Sequence, residues 1–479
     1  MKILPELALT YDDVLLVPQH SDVASRRKLS TRTRLTSKIM LQAPIVSANM
    51  DTVTESDMAI AMAREGGIGI IHRFMSIDEQ VRQIARVKKA ESFIVENPLT
   101  LSVAHTIGDV KKIVDETYTG GILILDEKGS VVGIVTTRDL LFEEDDTKPV
   151  SEIMTRQVVT ASRDTSLEQA ERILHEHRIE KLPLVDGKGK LAGLITLKDI
   201  MKIAEFPKAT KDGRGRLALG AAVGVKPSET RRVERLLEAG ADCIVVDIAH
   251  GDSELEIDII KDIRKHFPAA QIIGGNVATA EGTQRLIDAG VDAVKVGVGP
   301  GSICITRLVA SAGVPQLTAV MDCAAVARPQ NIPVIADGGI RTSGDLVKAL
   351  GAGASTVMIG SLLAGTDESP GLLMTRKGHR YKVSRGMASL QASVARKVRE
   401  GEDDITQEEL EDYVSEGVEA AVPYRGSARE MLAQLIGGLQ SGMSYTNAHS
   451  VDELHEKAVF VRMTEVGLAE SSPHYVELI

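Results

Sequence analysis

Short apolar runs that close on Gly, Asn, Asp or Ser recur along most of this chain, separated by amphipathic stretches. Eight stand out, at residues 43–50, 67–72, 217–224, 243–249, 271–278, 293–299, 333–339 and 356–361. Their hydrophobicity is continuous rather than alternating, which is the pattern of strands buried on both faces and so of parallel strands covered by helices. Residues 228–238, 283–289 and 344–350 carry the spacing of such covering helices. Eight strand–helix units predict an α/β fold of the closed (β/α)8 TIM-barrel kind rather than an open sheet.

One stretch breaks that rhythm. Between about 99 and 201 the segment 131–140 returns as 191–200, and 121–125 is answered by 181–185, each time ahead of an Asp-x-x-Gly turn. One copy looks too small to bury its own core, so two packed copies are expected to form a module. The predicted division is residues 1–92 for the first part of the barrel, 93–204 for the module and 205–479 for the rest. Each copy sets a Thr three residues before an Asp at a strand-to-helix junction, as Thr136/Asp139 and Thr196/Asp199. That spacing suits a helix cap, and it equally suits a hydroxyl and a carboxylate gripping a nucleotide ribose.

Composition narrows the function. A net charge of −11 argues against broad nucleic-acid binding, and the absence of Trp removes the usual stacking platforms for single strands. Three cysteines in so long a chain are no disulfide framework and point to a reducing compartment. With no basic-then-apolar leader and no membrane-length apolar run, a cytoplasmic protein is expected.

In such barrels the chemistry sits at the C-terminal strand ends. There the chain sets Asn49, Met50, Asp51, Asp247, His250, Asn276, Cys304, Asp337, Gly338, Gly339, Gly360 and Ser361. Cys304 closes a glycine-rich turn from Gly299, an exposed position where a thiol can attack. The glycines after the seventh and eighth strands can offer backbone N–H groups to a phosphate, with Ser361 as a further donor. Asp337 repels an anion and instead suits ribose hydroxyls. The set describes a mononucleotide with Cys304 at its base, where a thiolate adding to a purine carbon creates a centre that can exchange hydride. Thr306 can hydrogen-bond the attacking or leaving group. Asp247 can orient a nicotinamide carboxamide, or it is structural. Cys243 and Cys323 read as core. His72, His250 and His474 are not spaced as a metal site, and no transition metal is expected.

These residues resemble the IMP dehydrogenase and GMP reductase superfamily over nearly the whole chain. The likeness rests on residues 9–18, on Met50-Asp51-Thr52-Val53-Thr54, on Gly299 to Cys304, on Ala336 to Arg341 and on Gly437-Gly438-Leu439. The repeat resembles a tandem CBS (Bateman) module, whose relatives bind adenine or guanine nucleotides; this would use Thr136, Asp139, Thr196 and Asp199. The resemblance implies catalytic roles for Cys304, Thr306 and Glu416, with Cys304 bonded to purine C2. It sets Ser47, Met50, Asn276, Ser302, Asp337, Gly338, Gly339, Gly360, Ser361, Gly386 and Met387 around the nucleotide. It sets Asp247, Ile248, Ala249, Gly297 and Gly299 around the cofactor, and a potassium ion on the carbonyls of Gly299, Gly301 and Cys304. Homotetramers are implied, or octamers when the module is occupied.

The two branches of that family share the covalent adduct and hydride transfer at C2 and differ in what else happens there. Dehydrogenases hydrolyse the adduct with an Arg-Tyr pair on a flap, whereas reductases expel ammonia from GMP and use NADPH. Residues 388–399 contain no Arg-Tyr, and residues 400–413 are acidic and helix-like. Asp247-Ile248-Ala249 also lacks the hydroxyl usual in dehydrogenases, Cys304-Ile305-Thr306 replaces Cys-Thr-Thr, and Ser384 stands where Tyr is usual. The module and the tail at 470–474 are more usual in dehydrogenases, and Arg396 or Arg399 could stand in as water activator. The expectation is therefore a GMP reductase using NADPH. IMP dehydrogenase with NAD is the alternative, and a non-catalytic purine-nucleotide sensor is a rival of another class.

Overall fold

The computed structural model describes residues 3, 6–91, 94–117, 120–400, 413–471 and 473. All eight apolar runs form strands: β1 (Ile45–Ser47), β2 (Ile68–Ile71), β3 (Leu219–Val223), β4 (Cys243–Val246), β5 (Ile272–Val277), β6 (Ala293–Val296), β7 (Val334–Asp337) and β8 (Thr356–Ile359). They pair in parallel in chain order and close into a barrel where β8 meets β1 and β2 meets β3. Every strand is shorter than the apolar run that announced it, at one end or both. Beyond the C-terminal ends the backbone goes on to line the barrel mouth.

Side-chain alternation sorts the core into two layers. Cys243 and Val245 point into the barrel with Val46, Ile68, Ile70, Ile273, Ile335 and Met358, above a plug formed by Leu35 and Leu41. Ile244 and Val246 point outward onto the helices. Those helices are α1 (Ser56–Arg64), α2 (Ile77–Ala90), α3 (Glu229–Ala239), α4 (Glu254–His266), α5 (Ala280–Ala289), α6 (Gln316–Ala327), α7 (Ser343–Gly351) and α8 (Ala428–Tyr445). Their starts follow capping chemistry: Thr279 accepts Gly282 N–H at 3.1 Å for α5, and Thr342 accepts Asp345 N–H at 3.2 Å for α7. A buried Lys88 at the end of α2 reaches Asp212 at 2.9 Å, Asp242 at 2.7 Å and Leu217 O at 2.9 Å, satisfying all three ammonium protons.

Between β8 and α8 the chain builds an antiparallel sheet of residues Leu373–Arg376, His379–Arg385 and Glu419–Pro423, and a helix over Leu390–Glu400. Residues 401–412 lie outside the described residues, as do the side chains of Arg396 and Arg399.

Residues 91–207 and 213–216 form a second compact unit. Each copy is a three-stranded sheet, over 100–102, 121–125 and 131–136 and over 161–162, 181–185 and 191–196, with the same β-bulge in both. The first strand of each sheet is parallel to its neighbour and lies outside the repeated segments the sequence showed. Each sheet buries an apolar set of its own, Val110, Ile122, Ile124, Val135 and Val150 in one and Ala170, Leu174, Leu182, Leu184, Ile195 and Ile200 in the other. No helix among the described residues is long and apolar enough to cross a membrane.

Candidate active site

The loop after β6 begins at Gly297, whose φ of +152° and a would-be Cβ 2.0 Å from Asp337 O admit no side chain. It ends at Cys304, next to a short helix over Thr306–Val309. A second segment lies along it: Ile305 N–H donates to Glu416 O at 2.8 Å and Val418 N–H to Ile303 O at 3.0 Å. Glu416 N–H is held in turn by Ala388 O at 3.0 Å, and Gly386 and Gly417 meet backbone to backbone. This ladder fixes Glu416 beside residues 110 positions earlier in the chain.

Side chains then form a line. Thr306 Oγ1 donates to Glu416 Oε2 at 2.8 Å, and Cys304 Sγ lies 3.2 Å from Thr306 Oγ1. A hydroxyl has one proton, and Glu416 receives it, so the thiol is the donor in the other contact. The arrangement can pass a proton from sulfur to carboxylate through one hydroxyl, leaving a thiolate facing the cavity.

That cavity, about 320 Å³, is lined by Asn49, Met50, Arg73, Asp247, Ile248, Ala249, Asn276, Lys295, Gly297, Gly299, Gly301, Cys304, Thr306, Asp337, Gly338, Gly386, Met387 and Glu416, among others. Arg385 pairs with Asp51 and Asp51 N–H reaches Met387 Sδ at 3.4 Å, so the Gly386-Met387 turn is tied to the loop after β1. Gly338 takes a φ of +95° with Pro300 against it, which leaves only glycine room there.

Several expected residues stand elsewhere. Ser47 is fully buried within 2.8 Å of Thr54 Oγ1, because its strand position turns it into the wall. Ser302 and His250 are exposed. Gly339 packs on Tyr11, and Gly360 and Ser361 lie behind Met50 at the start of a short helix over Ser361–Ala364. None of these lines the cavity. Cys243 is sealed in the barrel, and burial pushes its thiol far up. Burial pushes the Cys323 thiol up to about 12. His72 Nδ1 accepts Phe74 N–H at 3.1 Å, leaving Nε2–H for Glu55 at 3.3 Å, which is a satisfied core histidine. His474 lies outside the described residues. Among the described residues, no cluster of three His, Cys, Asp or Glu is placed to hold a metal ion.

Sequence reasoning missed the charges beneath the cavity. Lys295, 3% exposed in β6, reaches Asp337 Oδ2 at 3.0 Å, Asn276 Oδ1, and Asp247 Oδ1 at 3.8 Å. Arg73 Nε lies 3.8 Å from Asp247 Oδ2. Burial works to lower the pKa of Lys295, but Asp337 and Asp247 outweigh it and hold the ammonium above the ordinary lysine value. Behind it, burial holds the Glu256 carboxyl well above the usual range, although Oε1 accepts Gly275 N–H at 2.5 Å. The available signal was a lysine inside an otherwise apolar strand, Ala293-Val294-Lys295-Val296.

In the second unit, both Thr–Asp pairs close on themselves. Thr136 Oγ1 donates to Asp139 Oδ2 at 2.7 Å and Thr196 Oγ1 to Asp199 Oδ2 at 2.6 Å, each at the first turn of a helix. A cavity of about 1030 Å³ takes in Thr196 along with Lys181, Lys198 and Glu180, but not Thr136, Asp139 or Asp199.

A family model described as the IMP dehydrogenase / GMP reductase domain matches residues 8–474. The chain belongs to that family. It is similar to the inosine-5'-monophosphate dehydrogenase of Nitrosopumilus maritimus, with 54% identity over 98% of this chain and 99% of that one. It is 52% identical to that of Aquifex aeolicus, over 98% and 96% of the two chains. Among solved structures, a cysteine-to-alanine variant of Trypanosoma brucei GMP reductase in complex with guanosine 5'-monophosphate superimposes with a TM-score of 0.86, at 46% identity over 98% of each chain. The family acts on purine nucleotides with a nicotinamide dinucleotide. The GMP reductase expectation is corrected by the curated relatives at 49–54% identity, which are named dehydrogenases. The physical reason is that both branches share the Cys–Thr–carboxylate core. The absence of one dipeptide from a flap removes one way of activating water, not the reaction.

Proposed function

We propose that this chain is an NAD-dependent IMP dehydrogenase, oxidising IMP to XMP. The Cys304–Thr306–Glu416 line in the barrel mouth carries the reading, and the names of the full-length relatives choose the branch. Asp337 takes the ribose hydroxyls, while backbone N–H groups around Gly338 take the phosphate. Cys304 yields its proton through Thr306 to Glu416, and the thiolate adds to C2 of the purine. Asp247 would hold NAD, which when bound would supply the acceptor for the hydride of C2. Glu416, having passed its proton to solvent, draws one from water through Thr306. The water oxygen bonds to C2, the C2–S bond breaks, and Cys304 returns as thiolate. A carboxylate fixed beside the thiol thus supplies the base for which an Arg-Tyr pair is missing.

The carbonyls of Gly299, Gly301 and Cys304 would hold a monovalent cation and stiffen the loop; Gly301 O already accepts Cys304 N–H at 3.1 Å and keeps a second lone pair for the ion. Nucleotide binding at the second unit is supported by its cavity with Lys181, Thr196 and Lys198, and calorimetry of the full chain with ATP, GTP and AMP tests it. Assembly into homotetramers is tested by sedimentation with and without those nucleotides.

The deciding experiment mixes enzyme with IMP and NAD, and separately with GMP and NADPH, and follows the absorbance of reduced nicotinamide. Turnover is expected with IMP and NAD; turnover confined to GMP and NADPH overturns the reading.

A further inference from the structure

An alternating row of charges runs under the cavity: Arg73, Asp247, Lys295 and Asp337, with successive N···O distances of 3.8, 3.8 and 3.0 Å. We propose that Lys295 is a positioning residue that couples the two ligand sites, holding the Asp337 carboxylate for the nucleotide ribose and the Asp247 carboxylate for the cofactor at a set spacing. This rests on the ligand assignments proposed above.

Three observations support it. First, Lys295 is almost wholly buried, and a buried ammonium persists only where acceptors take its protons. Asn276 Oδ1 and Asp337 Oδ2 take two, and Asp247 Oδ1 attracts the ammonium from 3.8 Å without a hydrogen bond. Tied to three groups in this way, the amine positions rather than reacts. Second, the protein donors to Asp337 converge on one oxygen. Asn276 Nδ2 at 2.9 Å and Lys295 Nζ at 3.0 Å both go to Oδ2, and Oδ1 is left for a ligand. The oxygens of Asp247 stay at 3.8 Å from their cations, beyond hydrogen-bond distance, and are open to an amide donor. Third, the ion pairs of Lys295 are with the two aspartates that face the cavity, whereas Glu256 gives its Oε1 to Gly275 N–H and burial disfavours its charged form. Without the lysine, those two carboxylates repel each other across the mouth.

The test uses full-length enzyme with whichever purine monophosphate and nicotinamide dinucleotide the wild type turns over, so a wrong branch assignment shows in the wild type and leaves this test intact. Lys295→Met is expected to raise KM for both ligands at least about tenfold and lower kcat about 100-fold, with Lys295→Arg recovering most of the loss. Adding Lys295→Met to Asp337→Asn or to Asp247→Asn should cost far less than it does alone. A folded Lys295→Met enzyme that shifts one KM only, or that combines additively with both aspartate variants, overturns the proposal. Should Lys295→Met fail to fold, the Asp247→Asn/Asp337→Asn pair decides. Coupling through the shared ammonium makes the double variant less damaging than the product of the singles, and strict additivity overturns it.

Discussion

Thr–carboxylate pairs occur both in the barrel mouth and in the repeat unit, and they differ in what joins them. Thr136/Asp139 and Thr196/Asp199 are three residues apart and spend their hydrogen bonds on each other at a helix start. Thr306 and Glu416 come from segments 110 residues apart, joined by a backbone ladder, and their line continues to a half-exposed thiol. A local pair satisfies itself wherever the helix forms. A distant pair exists only because the fold builds it, and here it ends on a nucleophile.

The strongest way to break that contrast is Cys304→Ala. It is expected to cut turnover by about 10³-fold or more while leaving the melting temperature near wild type, and mass spectrometry should find no purine adduct. Residual turnover near wild type would mean that the line ends on a spectator. Glu416→Gln comes next, with kcat down about 100-fold. Because Glu416 takes the thiol proton and later draws one from water, rapid-mixing experiments should show both the first burst of reduced nicotinamide and the later steady state slowed; an unslowed burst would confine Glu416 to the water step. Thr136→Ala should cost about 1 kcal/mol of stability in the repeat unit, read by hydrogen exchange, as lost caps do. Unchanged protection with weakened nucleotide binding would make that pair a site after all.

The smallest effect tests whether a long-range polar contact alone makes a site. His455 Nε2 donates to Ala354 O at 2.8 Å across 101 residues, but it does not line the Cys304 cavity. Burial lowers its pKa below the ordinary 6.5, the bond to Ala354 only partly opposing this. Above 6.5 both folded and unfolded states are neutral and the group's contribution is complete. As pH falls through 6.5 the unfolded chain binds the proton first, so stability declines until the folded pKa is passed. Wild type should therefore lose more stability than His455→Gln between pH 7 and pH 5, with activity tracking stability alone.

Particular residues mark how far the sequence could be read. The barrel strands were legible because burial on both faces demands unbroken apolar runs, and Cys304 because glycines crowd a strand end. Lys295 stands out as a lysine in an apolar strand, but its role was not legible: its partners Asp337 and Asp247 lie at the ends of β7 and β4, and nothing near 295 announces them. Glu416 was reached only through resemblance, since an acidic residue in a polar stretch carries no local mark. The flap misled the branch assignment because a missing dipeptide was weighed above the Cys304, Thr306 and Glu416 set that the resemblance already implied.

By itself, then, the sequence determined eight buried strands, a duplicated unit between the second and third, and a thiol at the mouth, because apolar periodicity and glycine placement act over a few residues. Tertiary structure alone decided which carboxylate serves that thiol, which lysine balances the two aspartates, and that Ser47 faces the wall. Those outcomes depend on distances between segments far apart in the chain, which barrel closure sets and no local pattern encodes.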